Sequence, residues 1–112
     1  MKRKYRLRKR RDFSYTYKKG RSLANSCLVL VYRKNRLKIT RVGFSISKKF
    51  GNAVQRNKTK RRLREICRVR LEKIKPGYDL IFIVRIGARD ASFAKLENQM
   101  ENLLKRAGLF KE

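Results

Sequence analysis

Six cationic side chains, Arg56, Lys58, Lys60, Arg61, Arg62 and Arg64, crowd nine residues, and no acid follows until Glu65. Guanidinium and ammonium groups at this density do one kind of chemistry well: they neutralise closely spaced phosphates and release the counterions condensed on them. At 100° per residue, Asn57, Arg61, Arg64 and Arg68 share one stripe, with Arg56 and Lys60 at its edge. Beside it, Leu63, Ile66, Cys67, Leu71 and Ile74 form an apolar stripe, so the spacing predicts an amphipathic helix carrying a cationic ridge. The competing reading is a solvated face laced with ion pairs, Glu65 with Arg61 and Glu72 with Arg68. Two acids against nine cations between Arg56 and Lys73 leave most of the ridge unneutralised. A ridge of this kind matches a polyanion with regular charge spacing, which means a nucleic-acid backbone.

Missing residue types exclude other chemistries. The chain has no His, which removes Ser-His-Asp and Cys-His machinery and His-ligated zinc. Cys27 and Cys67 stand forty residues apart in apolar settings and read as buried thiols rather than a disulfide or a metal site. No catalytic and no metal-ligating side chain is assigned. No stretch approaches 18 apolar residues, so no membrane span is expected. The basic N-terminus lacks the apolar core of a secretory signal, and a cytoplasmic location is the default expectation.

The ridge needs a scaffold, and 112 residues with 41% hydrophobic content supply one domain with one modest core. The net charge of +26 is concentrated: residues 1–64 hold 24 of the 34 cations and a single acid, Asp12. Self-repulsion on that scale disfavours the isolated fold and favours a polyanionic partner.

Residues 1–11, with eight cations, read as a flexible basic arm that orders on phosphates, and residues 12–112 as the domain. Asp12 is placed as the N-cap of a short helix that Gly20 closes, with Phe13 and Tyr17 on one face. Those two rings either fill the core or form a stacking platform beside cations, as single-stranded nucleic acid requires. Ser22–Arg33 carries a strand signal and Lys38–Ser47 alternates, with Val42, Phe44 and Ile46 opposed to Arg41, Gly43, Ser45 and Ser47. That second, small and polar face suits either a ligand backbone or solvent. The basic helix is expected from about Asn52 to Lys75, stopped by Pro76-Gly77. Tyr78–Ile86 reads as a strand buried on both faces. A last amphipathic helix spans about Ser92–Ala107, with Phe93, Leu96, Met100, Leu103 and Leu104 on its apolar face and Gly108 as its stop.

Specific words accompany this order of elements: Asp12-Phe13, Gly20, Ala24-Asn25, Arg41-Val42-Gly43, Ser45, Ser47-Lys48-Lys49, and Gly51-Asn52-Ala53-Val54 followed by Arg56-Asn57, Lys60-Arg61 and Arg64-Glu65. Over about residues 10–110 the chain resembles the bacterial ribonuclease P protein component. Lys58 stands where the family's Arg-Asn-Arg word has its second arginine; it keeps the charge and loses the planar fork.

The resemblance implies an α+β fold of order αβββαβα, a two-layer sandwich on a four-stranded sheet. It also implies a left-handed βαβ crossover, against the right-handed rule that pattern alone would apply. It implies a protein subunit of a ribonucleoprotein endonuclease that removes the 5′ leader from precursor tRNA, the hydrolysis being carried by a catalytic RNA with Mg²⁺ held mainly by that RNA. The RNA-subunit contact would pass to Arg56, Asn57, Lys58, Lys60, Arg61 and Arg64, with Arg68 from the same stripe. The single-stranded leader would lie in a cleft formed by Phe13, Tyr17, Val29, Val31, Ser45 and Lys48. Val31 departs from an aromatic often found at its position. Partners would be the catalytic RNA and precursor tRNA, with no membrane and no small-molecule substrate. A non-enzymatic RNA binder, such as a ribosomal protein or RNA chaperone, is the alternative; a DNA-binding module fits less well, since the ridge abuts the apolar stripe.

Overall fold

Tyr78–Val84 lies between two other strands and is buried on both faces except at the half-buried Tyr78 and Ile83. The computed structural model describes residues 1–112 and orders them as α1 (Arg10–Lys19), β1 (Arg21–Ala24), β2 (Leu28–Lys34), β3 (Arg41–Ile46), α2 (Ala53–Arg68), β4 (Tyr78–Val84) and α3 (Phe93–Arg106). The sheet runs β1-β2-β4-β3, antiparallel except for the β3–β4 pair, which is parallel and joined through α2.

Alternation along the strands sorts their side chains into two sets. Leu28, Leu30, Val42, Leu80, Phe82 and Val84 face α2 and α3, whose Leu63, Ile66, Cys67, Leu96, Met100, Leu103 and Leu104 complete the main core. The opposite face is smaller: Val31 and Ile81 are buried with Leu7, and Phe13, Val29 and Ile83 pack partly around them. The helical layer of the sandwich is thus α2 and α3, while α1 lies alone on the second face and covers only part of it. Phe93, expected on the apolar stripe of α3, is 40% exposed because it opens the helix beyond the edge of the core.

Several local expectations are corrected. The Ser22–Arg33 signal is two strands around a turn, where the Asn25 side chain accepts from the Leu28 amide at 3.0 Å. Such side-chain acceptance makes Asn a turn former inside an otherwise extended run. Helix α2 ends at Arg68 rather than near Lys75: Arg70 donates to the Ile66 carbonyl at 3.0 Å and pairs with Glu97 and Glu101 of α3 at 3.0 and 3.2 Å. The chain then turns so that Ile74 is buried and bridges to Phe110, which a continued helix would not permit. Helix α1 starts at Arg10, so Asp12 sits in its first turn, favourable to the helix dipole, rather than at the cap. Gly20 has φ −81°, not the left-handed conformation expected of a helix-stopping glycine. It is there for space: a Cβ would come within 2.5 Å of the Thr16 carbonyl oxygen and 2.9 Å of that of Tyr32.

The basic segment ahead of α1, read from composition as a flexible arm, lies along the open edge of β3. The Leu7 amide donates to the Val42 carbonyl at 2.9 Å, Arg6 bridges to Val42 in parallel register, and the Leu7 side chain is buried. Burying one leucine is worth roughly 2 kcal/mol, and the segment blunts an edge strand that would otherwise invite another chain.

Candidate nucleic-acid interface

The face that α1 partly covers is built in rows, because neighbouring strands pair residue for residue. Arg33, Asp79 and Arg41 make one row, Val31, Ile81 and Gly43 the next, and Val29, Ile83 and Ser45 the third. Each row has its own chemistry.

The first row fixes α1. Asp79 is fully buried and accepts four hydrogen bonds: two from Arg41 at 2.8 and 2.9 Å, one from Arg33 at 3.0 Å and one from Asn35 at 2.9 Å. The hydrogen bonds to Asp79 raise the Arg41 pKa above its ordinary value, so that guanidinium is permanently charged. Arg33 and Arg41 then reach α1. Arg33 donates to the buried Thr16 hydroxyl at 3.3 Å, and Arg41 pairs with Asp12 at 3.4 Å. The one acid of the basic half is thereby spent on positioning the helix.

The second row is packing. Val31, assigned above to the leader cleft, is 6% exposed and lies beneath α1, out of reach of a ligand. Gly43 is occupied by the Phe13 ring, which a Cβ at that position would overlap. Phe13 therefore takes a position intermediate between the two alternatives its sequence left open: one side rests on the sheet, and Tyr17 lies 6.3 Å away, centroid to centroid, with 43% of its surface exposed.

The third row is open. Val29, Ile83 and Ser45 are each half-buried, and Lys48 stands exposed in the turn that follows β3. Ile83 was not foreseen in this group. An apolar run buried on both faces does not reveal which of its residues meets a gap, although the parity shared with Ile81 does put it on this face. Arg89 was also missed: it donates to the carbonyls of Lys49 and Phe50 at 2.9 and 3.0 Å and so holds the Lys48 turn against the loop after β4.

On the other side of the sheet, α2 carries the ridge. Asn52 caps it by accepting from the Gln55 amide at 2.9 Å, while Gln55 accepts from the Asn52 amide at 2.8 Å. Arg56 donates back to the Gly51 carbonyl at 2.7 Å. Lys58, Lys60, Arg61, Arg62 and Arg64 have no carboxylate partner; the acid-paired cations of the whole chain are Arg33, Arg41, Arg68 and Arg70. Glu65 pairs with Arg68 at 2.6 Å rather than with Arg61, and Glu72 pairs with neither. That contact holds the Glu65 carboxyl below and the Arg68 guanidinium above their ordinary pKa values. Arg68 is thus the one member of the ridge whose charge is answered from within the chain. Asn57, Lys58 and Arg61 are exposed, while Arg56, Lys60, Arg62 and Arg64 are half-buried along their stems, a disposition that keeps charged heads at the surface.

The fold and these surfaces define a class: a small α+β domain that presents uncompensated cations on one helix and an aromatic-flanked cleft on the far side of its sheet. A ribonuclease P family profile matches residues 1–108. A ribonuclease P protein component from Clostridioides difficile is 44% identical over 104 residues, covering 92% of this chain and 91% of its own. The solved ribonuclease P protein of Staphylococcus aureus is 42% identical and superposes with a TM-score of 0.90 over 96% of this chain and 98% of that one. That of Thermotoga maritima is 40% identical, with a TM-score of 0.84 over 90% of this chain and 96% of that one. The chain belongs to the bacterial ribonuclease P protein component family, and its role is that of the protein subunit of this tRNA-processing nuclease.

Proposed function

We propose that the chain binds a catalytic RNA through α2 and holds the single-stranded 5′ leader of precursor tRNA over the open row beside α1, so that the RNA cleaves the leader away. The observation that carries this reading is the division of labour between the two sides of the sheet. Six cations on α2 without a carboxylate partner suit a structured RNA backbone, whereas Val29, Ile83 and Ser45 with Tyr17 offer a half-apolar floor and a ring for an unpaired strand. Arg56, Asn57, Lys58, Lys60, Arg61, Arg64 and, less strongly because of Glu65, Arg68 would meet the RNA subunit. Phe13, Tyr17, Val29, Ser45 and Lys48 would meet the leader.

No three acidic, Cys or His side chains of this chain come together as an all-protein cage, and Mg²⁺ otherwise binds through one or two carboxylates with phosphates and water. The reading gives the ion to the RNA subunit and places the particle in the bacterial cytoplasm. The protein's share is substrate affinity and screening of repulsion between two RNAs. Reconstitution tests it: catalytic RNA with and without the chain, on precursor tRNA at low Mg²⁺. Faster leader removal with the chain is expected; equal rates would refute the reading.

A further inference from the structure

Arg89 has no carboxylate partner, and its guanidinium is turned on the backbone instead. From the end of the short helical turn after β4 (Ile86–Ala88), its Nη2 donates to the Lys49 carbonyl at 2.9 Å and its Nε to that of Phe50 at 3.0 Å. The Arg56 Nη1 donates to the next carbonyl, that of Gly51, at 2.7 Å. Three consecutive carbonyls in the link between β3 and α2 are thus each held by a guanidinium. The Arg89 side of this clamp is firm. Ala88 is buried in the main core, its amide donates to the Arg85 carbonyl at 2.9 Å, and the Arg85 amide donates to the carbonyl of the fully buried Cys27 at 2.9 Å.

The clamped link carries Lys48, exposed and without a carboxylate partner, just beyond Ser45 of the open row. The buried Phe50 side chain anchors the link at one point, and by itself it leaves the peptide planes on either side free to turn. A planar fork that holds the Lys49 and Phe50 carbonyls together fixes both planes. Without it, a phosphate meeting Lys48 would have to order the turn as well as the side chain, and affinity would fall by that cost. We propose that Arg89 is a positioning residue for substrate binding: it acts through Lys48, presenting that ammonium to the leader in a fixed direction. The inference rests on the leader-binding reading above and deepens it, because it gives a part to a side chain that lies outside both RNA-facing groups.

Two variants separate position from charge. Arg89→Gln loses the charge and the fork, whereas Arg89→Lys keeps the charge and loses the fork. Each full-length variant is reconstituted with catalytic RNA, and KM and kcat are measured at fixed salt on two precursor tRNAs. One carries a leader long enough to cover the open row, the other a single-nucleotide leader. Both variants should raise KM for the long leader by roughly tenfold, the effect of losing one of the weaker hydrogen bonds to a charged group. The kcat, the KM for the short leader and the melting temperature should stay as they are, since Phe50 still anchors the link. Added to Lys48→Ala, Arg89→Lys should raise KM no further. An Arg89→Lys variant indistinguishable from the unaltered chain would show that charge alone matters. An equal rise for both leaders would mark a merely structural role, and a full effect in the absence of Lys48 would show that Arg89 works elsewhere. Any of these three results overturns the proposal. If the unaltered chain failed to distinguish the two leaders, the failure would lie in the leader-binding reading itself.

Discussion

Replacing Asp79 with Asn should cost this protein a large part of its stability, and the structure says why. The Asp79 carboxylate is wholly buried and accepts from Arg33, Arg41 and Asn35. Asparagine keeps the shape but removes the charge, and turns an NH₂ group toward donors that have nothing to accept. Removing one partner of a buried ion pair costs about 3–5 kcal/mol, because the charges left behind stay desolvated. Here the two arginine side chains keep 18% and 21% of their surface, so water relieves part of the penalty. The lower end, about 3 kcal/mol, is the expectation. Against a typical total of roughly 5–15 kcal/mol, that is a severe loss. At roughly 4–8 °C per kcal/mol for a domain near this size, the melting temperature should drop by about 12–24 °C.

The assay is thermal unfolding followed by circular dichroism at fixed salt, with phosphate and RNA absent, since any ligand of the native state would mask the loss. A double-mutant cycle with Arg41→Gln should return a coupling of about 1–3 kcal/mol. A drop below about 4 °C, or additive single effects, would show that Asp79 is not the anchor of α1 and that the helix is held by Phe13 and Leu7 alone.

Other outcomes follow from the same geometry. Arg61→Ala or Arg64→Ala should each lower the salt slope of catalytic-RNA binding by about 1, and a filter-binding series at several salt concentrations would show it. Glu65→Gln should act in the opposite direction, freeing Arg68 and raising the slope; no change would mean that Arg68 lies off the interface. Tyr17→Ala should cost about 1–3 kcal/mol of affinity for leader-bearing substrate and little for leaderless tRNA, measured by competition binding, with the melting temperature nearly unmoved. Burial pushes the Cys67 thiol up to about 12, so it should resist alkylation at pH 8 in the folded chain and react once denaturant is added. A raised pKa also sets the sign of its pH effect: the stability linked to this thiol is complete below the ordinary thiol range and is lost as pH climbs toward 12.

The main core was legible because alternation and helical spacing dictate it: Val42 beside Leu80, and Leu63, Ile66 and Cys67 against the sheet, are where their periods put them. The ridge was legible for the same reason, since cations at i, i+3 and i+7 (Arg61, Arg64 and Arg68) need only a helix to become a surface. What escaped was set by contacts distant in sequence. Nothing local distinguishes Leu7 from a residue of a free arm; its value comes from the Val42 backbone, 35 positions away. Nothing in Val31 says that α1 will cover it while leaving Val29, two residues earlier on the same strand face, half-open. Gly20 was assigned to a helix stop, a local role, but is required by the Thr16 and Tyr32 carbonyls that meet there.

The distribution of acids explains how a chain with a net charge of +26 keeps a fold at all. Asp12 and Asp79 neutralise arginines that bear on α1, and Glu97 and Glu101 neutralise Arg70, where α2 must end and turn toward α3. Half of the eight acids thus sit where a cation is structural, and Glu65 alone lies among the cations of α2. Adding an acid to the ridge would lower self-repulsion and stabilise the free protein, yet under the proposed function each would cancel a charge offered to a phosphate. Stability in isolation and affinity for RNA are therefore opposed at Arg61 and Arg64 but not at Arg41. Charge-reducing substitutions should separate along that line: those on α2 raise the melting temperature and weaken binding, while those around Asp79 lower it.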